Sequence, residues 1–284
     1  MPRVLIAGCG FVGLATARVL HAAGWEVLGC THSAESARAL SHEPFPVRPA
    51  DLSQPAELEA LADWRGCEAV IHCASSGRGG ADAYRAVYLG GARNLLTVLA
   101  PQCLLFTSST SVYAQNDGAW VTEESPAEPD RETGRVLRET EDLVIGAGGC
   151  VARLAGIYGP SRSVLLKKFL TGEAVIEDGG ARWINQIHRD DIATALVRLV
   201  ESRARGIFNV VDDTPMTQRE VYGWLTTHFA RPLPPDGPID TNRKRGVTSK
   251  RVSNARLRTL GWSPRYTSFR DAVIGDPELV SEAN

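Results

Sequence analysis

The sequence predicts an α/β protein, a doubly wound parallel sheet with a small C-terminal α/β lobe. Three observations carry this. Short apolar runs alternate with longer helical patterns through the first 155 or so residues. Those runs are continuous rather than alternating, which means strands covered on both faces, and strand–helix alternation of that kind builds a parallel sheet. After residue 155 the rhythm breaks into shorter, mixed elements.

The expected strands of the first part are RVLIA (3–7), EVLGC (26–30), FPVRPA (45–50), AVIHC (69–73), CLLFTS (103–108) and CVARL (150–154). Helical patterns fall between them at 13–23, 34–41, 55–63, 81–100 and 133–146. In the second part, AVIED and RWINQI read as an antiparallel pair around Gly179-Gly180. RDDIATALVRLVES is an amphipathic helix, and GIFNVV (206–211) is a strand expected to return to the main sheet. TQREVYGWLTTHF opens with Thr217 and Glu220 at capping-box spacing and so begins a helix. RPLPPDGP (231–238) reads as a stiff loop, and SNARLRTLGW and SFRDAVIG as two short helices. The expected units are therefore 1–155 and a lobe at 156–284.

Composition narrows the partners. Net charge is -2 over 284 residues. No broad basic field results, so neither nucleic acid nor an anionic membrane is an expected partner, and no run approaches membrane-spanning length. The six cysteines form no C-x-x-C pair and no zinc-spaced cluster, so no metal is expected. They read as small buried residues of a reduced, cytoplasmic protein. Only four lysines occur, and the first is Lys167.

IAGCGFVG places Gly8, Gly10 and Gly13 in G-x-G-x-x-G spacing, after a strand and at the opening of a helix that stops at Gly24. That context makes the first part a Rossmann-type domain. Gly8 permits the tight turn, Gly10 lets the backbone approach a pyrophosphate, and Gly13 lets helix pack on strand. The free N–H groups of Phe11, Val12 and Gly13, with the positive helix end, suit phosphates. An NAD-selective site places an acid at the end of the second strand. Here Thr31, His32 and Ser33 stand there, with Arg38 further on. Without a carboxylate to repel a 2′-phosphate, NADP is the preferred cofactor and NAD remains possible.

Further segments resemble the extended short-chain dehydrogenase/reductase superfamily, its NAD-dependent epimerase/dehydratase-like group. They are PADLSQP, VIHCAS, GGARNLL, LFTSSTSVYA, RLAGIYGP, QIHRDDIA and SNARLRTLGWSPRY, in the family's order over most of the chain. The resemblance implies that Asp51 and Leu52 lie against the adenine. It also places Cys73, Ala74, Ser75, Ser108, Leu154 and Gly156 beside the cofactor, and Ser109, with Thr110 and Ser111, toward a small-molecule substrate. TSSTSVYA, GRVLRETED and VARLAGIYGP together look most like the atypical, YeeZ-like branch. A homodimer through helices 81–100 and 133–146 is a family expectation.

One departure bears on chemistry. The family's Tyr-x-x-x-Lys pair aligns with Thr133 and Leu137, and no tyrosine in the chain has lysine four residues on. One helix face then carries Thr133, Val136, Leu137 and Thr140, none of which titrates near neutrality. Arg135 projects to the other side and Arg138 lies about 100° from Leu137, so neither takes the lysine's place. Ser109 remains as a hydroxyl able to orient a substrate oxygen. Arg78 either meets an anionic substrate or is a surface arginine between glycines. His188 reads as support for the lobe junction. Lys250 and Arg251 either reach the cleft or are solvated. The expected function is an oxidoreductase or epimerase on a small polar substrate, with a non-catalytic cofactor-binding sensor as the alternative.

Overall fold

In the computed structural model, which describes residues 1–77, 79–240 and 248–281, seven parallel strands form the central sheet. Five come first in the chain: β1 (Arg3–Ala7), β2 (Glu26–Thr31), β3 (Val47–Pro49), β4 (Ala69–His72) and β5 (Leu104–Ser109). Cys150–Leu154 and Gly206–Val210 complete it. From one edge the order is Gly206–Val210, Cys150–Leu154, β5, β4, β1, β2, β3. The order reverses direction at β1, so a crevice opens above the carboxyl ends of β1 and β4, where α/β proteins hold ligands. Gly206–Val210 pairs with Cys150–Leu154, so the late strand extends the first unit's sheet.

The strand interiors form the first apolar core. Val4, Leu5, Ile6, Val70, Ile71, Leu105, Phe106 and Val151 are all essentially inaccessible. Helix α1 (Phe11–Ala22) covers the sheet through Thr16, Ala17 and Leu20 and ends at Gly24, whose φ is +84°. Helix α2 (Ala34–Ala39) is capped by Ser33, which accepts from the Ser36 N–H. A second core, built on Leu166, Phe169, Ile176, Tyr222, Leu225 and Phe269, holds the C-terminal lobe together.

Three expectations need correction. No antiparallel pair spans Gly179-Gly180. Asp178, Gly179 and Gly180 all have positive φ, at 47°, 67° and 73°, and coil into a single tight turn that sends the two segments apart. Ile176–Glu177 instead pairs parallel with Asp236–Gly237, and Trp183–Ile184 pairs antiparallel with Met216–Thr217. The supposed loop 231–238 therefore contributes a short strand. The helix at 81–100 forms, but Arg85–Gly90 and Leu95–Leu99 take the wider π-type winding. The capping box at Thr217 is made in both directions: Thr217 Oγ1 accepts from the Glu220 N–H, and Glu220 Oε2 accepts from the Thr217 N–H. No helix among the described residues is long and apolar enough to cross a membrane.

Candidate active site

The glycine loop is shaped by two close approaches. A Cβ at Gly8, whose φ is +110°, would lie 2.4 Å from the Ala74 nitrogen, and one at Gly13 would lie 2.1 Å from the Gly8 carbonyl oxygen. Strand, loop and helix can touch only because both positions lack a side chain. Gly10 differs: a Cβ there would meet nothing within 4 Å. It is the N-cap of α1, no side chain caps the helix, and the first turn holds no acid. The unpaired N–H groups therefore open onto free space, which fits the diphosphate of a dinucleotide.

That space is a groove of about 390 Å³. Gly8, Gly10, Phe11 and Val12 form one wall, and Thr31, His32, Cys73, Ala74 and Ser75 continue it. Thr107, Ser108, Ser109, Leu137, Leu154 and Ile157 close the far end. A side pocket of about 80 Å³ continues toward Ala50, Asp51, Leu52 and Val87. Burial pushes the Cys9, Cys30 and Cys73 thiols up to about 12, so they are neutral walls and not nucleophiles.

Several candidate residues sit differently from expectation. Ser33 does not line the groove, because its hydroxyl caps α2; Ser36, one turn on, lines it instead. Gly156 faces away in a strand, Gly156–Tyr158, paired with Gln186–His188, and its neighbour Ile157 takes the groove position. Thr31 lines the groove, but its hydroxyl donates to the Ser33 carbonyl at 3.2 Å. Ser108 reaches the groove wall with its hydroxyl already committed, donating to Glu141 Oε1 at 2.5 Å. Thr110 is buried in the turn after β5 and lines neither cavity. Arg78 lies outside the described residues.

Glu141 is the centre of a buried polar network. It stands on the helix Glu132–Gly146, is fully buried, and accepts from Arg153 Nη2 at 2.6 Å and from Arg138. Arg153 Nη1 donates to the Tyr113 hydroxyl at 2.8 Å, and that hydroxyl donates to Asn209 Oδ1 at 2.9 Å. The network ties helix, β5, Cys150–Leu154 and Gly206–Val210 together beneath the site. It also sets the register of the helix, which presents Thr133 and Leu137 to the cleft while Arg138 is held at Glu141 and Asp142.

A second chamber of about 320 Å³ adjoins the groove and shares Tyr84 and Leu137 with it. Ser111, Ala114, Asp130, Arg131, Thr133 and Thr248 also line it. Ser109 stands at the junction on the groove side. Its oxygen accepts from the Ser111 N–H at 3.2 Å, which leaves the hydroxyl proton able to donate. The Thr133 hydroxyl has no hydrogen-bond partner among the described residues, and the residue lines the chamber from the first turn of its helix. Leu137 presents an apolar side chain to both cavities.

Sequence reading missed Tyr84, Thr107, Arg162 and Thr248. Arg162 lines the groove beside α1, and its guanidinium lies 4.9 Å from the Phe11 ring centre, opposite Arg189 at 5.1 Å. Its position two residues after the GP of RLAGIYGP was the available signal. His188 lies away from both cavities, with Nε2 3.0 Å from Asp276 Oδ2 and its ring against Tyr158 and Tyr266. It joins the lobe to the sheet domain. Among the described residues no His, Cys, Asp and Glu group could hold a metal ion.

A parallel sheet with an open glycine loop at its switch point defines a Rossmann-type dinucleotide-binding protein. Comparison with known proteins gives the family: residues 4–210 match the NAD dependent epimerase/dehydratase family, and the chain belongs to it. Protein YeeZ of Escherichia coli K12 is 32% identical over 283 residues, 94% of this chain and 97% of its own. A 3-diazoavenalumate denitrifying reductase from a Streptomyces species is 33% identical over 161 residues, half of this chain. A Methylobacillus flagellatus protein solved as a candidate NAD-dependent epimerase/dehydratase superimposes with a TM-score of 0.79 at 29% identity, covering 99% of this chain and 98% of that one.

Proposed function

We propose that this chain is an NADP-preferring oxidoreductase acting on a small polar substrate by a route that does not use a tyrosine–lysine pair. The observation that carries this is the chamber beside the groove: it is open, contiguous with the cofactor end through Leu137 and Tyr84, and lined by Ser111, Asp130, Arg131, Thr133 and Thr248. A protein that only senses its cofactor would gain from filling that space with apolar side chains. The reductase among its relatives supports a reductive direction.

The first turn of α1 would hold the diphosphate, with Arg162 as a cation beside it. His32 at the end of β2 and Ser36 in the first turn of α2 are both exposed and would meet a 2′-phosphate; among the described residues no carboxylate lines the groove there, and Asp51, 3.8 Å from His32 Nδ1, belongs to the side pocket. When bound, the nicotinamide supplies or accepts a hydride. Ser109 would donate to a substrate oxygen, and Ser111 and Thr133 would fix the rest of the molecule. Thr133 and Leu137 offer no acid or base, and losing such help costs about 10²–10⁴-fold in rate.

Calorimetric titration with NADP and NAD tests the cofactor. NADP is expected to bind at least about tenfold more tightly, a difference of roughly 1.4 kcal/mol. Equal or tighter NAD binding removes the preference, and no binding of either at millimolar concentration removes the cofactor reading. Loss of NADPH absorbance with a panel of small aldehydes, ketones and unsaturated acids then tests turnover. No oxidation with any member returns the chain to the sensor reading.

A further inference from the structure

The helix face that the resemblance aligns with the proton-transfer pair carries neither residue, yet a buried lysine bonds Thr248, a residue of the chamber wall. Lys250 lies in the segment leading into the strand Arg251–Val252, which pairs with Trp120–Val121. This segment is pinned. The Gly118 N–H donates to the Ser249 carbonyl at 2.8 Å, Asn185 Nδ2 donates to the Lys250 carbonyl at 2.9 Å, and Asn185 Oδ1 accepts from the Val252 N–H at 2.8 Å. Side chains alternate along an extended chain. Ser249 and Arg251 face one way: Ser249 Oγ accepts from the Trp183 N–H, and the Arg251 guanidinium lies between the Trp120 and Trp183 rings. Thr248 and Lys250 bond each other away from that side, and Thr248 lines the chamber with Lys250 behind it.

Lys250 is only 4% exposed, whereas Lys167 and Lys168 are on the surface. Its Nζ donates to Thr248 Oγ1 at 2.7 Å. No carboxylate among the described residues pairs with it. Of the charged groups on the elements around it, Asp130 and Arg131 line the chamber, Asp117 accepts from the Ala119 N–H, and Arg251 faces away; none bonds Nζ. Burial alone pulls the Lys250 ammonium down to about 8. A buried ammonium without a counter-charge is costly, and it is retained where a ligand supplies the charge or a reaction uses the proton.

We propose that Thr248 and Lys250 form the oxyanion-binding, proton-donating end of the chamber, taking a small keto-acid substrate. Thr248 is the contact residue and donates its hydroxyl hydrogen to the substrate oxygen. Lys250 is the positioning residue behind it. When the keto carbon accepts a hydride from a reduced nicotinamide and the carbonyl π pair moves onto oxygen, the Thr248 O–H bond breaks and the substrate O–H bond forms, while an Nζ–H proton passes to Thr248 Oγ1. Besides the hydride, the net change is one proton moved from ammonium to substrate, leaving Lys250 neutral until solvent reprotonates it. This rests on the chamber being the substrate site.

With only four lysines in the chain, biosynthetic ¹³Cε-lysine labelling of the NADP-loaded protein gives a direct reading. The Lys250 signal is assigned by its loss in Lys250→Arg, and the probes are pyruvate and phenylpyruvate. Lys250 is expected to titrate near 8, and either probe is expected to raise its midpoint by about one pH unit or more, because an anion favours the charged amine. Thr248→Val should abolish that response and Thr248→Ser should keep it. A Lys250 signal that titrates with the surface lysines, or one that neither probe moves, overturns the proposal. NADP affinity measured on the same samples reports separately on the cofactor groove, so failure there is distinguishable from failure here.

Discussion

Gly10→Asp is expected to leave the protein folded and to remove dinucleotide binding. Gly10 has φ −92° and ψ −152°, an extended N-cap conformation open to any residue, and a Cβ there meets no atom within 4 Å. Aspartate is among the best N-cap residues and costs the helix nothing relative to glycine. Its carboxylate would sit on the same N–H groups that are free to receive a diphosphate, and it would repel a second anion. Two unit charges 4 Å apart at an effective dielectric of 20 interact by about 4 kcal/mol, so affinity should fall at least about 100-fold. Gly8→Ala and Gly13→Ala serve as contrasts: their new methyl groups overlap the Ala74 nitrogen and the Gly8 carbonyl, so they should unfold the loop itself. Calorimetry for binding and thermal melting for folding separate the two outcomes. Unchanged affinity in folded Gly10→Asp would place the nucleotide elsewhere.

The second large effect belongs to stability. Glu141→Ala should cost about 3–5 kcal/mol, because it strands the Arg153 guanidinium in the core. Arg153 is 1% exposed, and without Glu141 its remaining side-chain hydrogen bond is the one to the Tyr113 hydroxyl. The Ser108 hydroxyl would lose its acceptor as well. Pairing the change with Arg153→Leu removes the stranded charge, and the double variant should recover most of the loss. Urea unfolding of the three proteins checks this. A small effect of Glu141→Ala alone, or a double variant no better than the single, would show that the network does not hold the sheet to the helix.

The groove was legible because its signals are local. Three glycines, a strand before them and a helix after them lie within about twenty residues; Gly13 packs on Gly8 and Ile6 of the same motif, and Gly8 on Ala74 just past β4. The sheet was legible because buried parallel strands need continuous apolar runs. That no tyrosine has lysine four residues on could be read from the sequence, and the helix turns Thr133 and Leu137, where the resemblance aligns such a pair, into the cleft. Other features depend on distant contacts. Ser108 and Ser109 are adjacent, yet one hydroxyl is taken by Glu141 from another element and the other is not. The turn at Asp178–Gly180 looked like a hairpin because its flanks are apolar. Three consecutive positive φ values, in a turn whose Gly179 carbonyl accepts from Arg219 Nε, separate those flanks. Lys250 stands over a hundred residues from Thr133, and the pairing of Arg251–Val252 with Trp120–Val121, with the Asn185 bonds, places it behind Thr248. Whether it was buried or solvated depended on that pairing.

A crystal structure with NADP bound tests the central claim most directly. The diphosphate is expected within hydrogen-bonding distance of the Phe11 and Val12 N–H groups, with the nicotinamide between Ser109 and Leu137 and the chamber at Thr133 and Thr248 still open. A dinucleotide seated away from α1, or a chamber closed over the nicotinamide by Leu137 and Tyr84, would contradict the account.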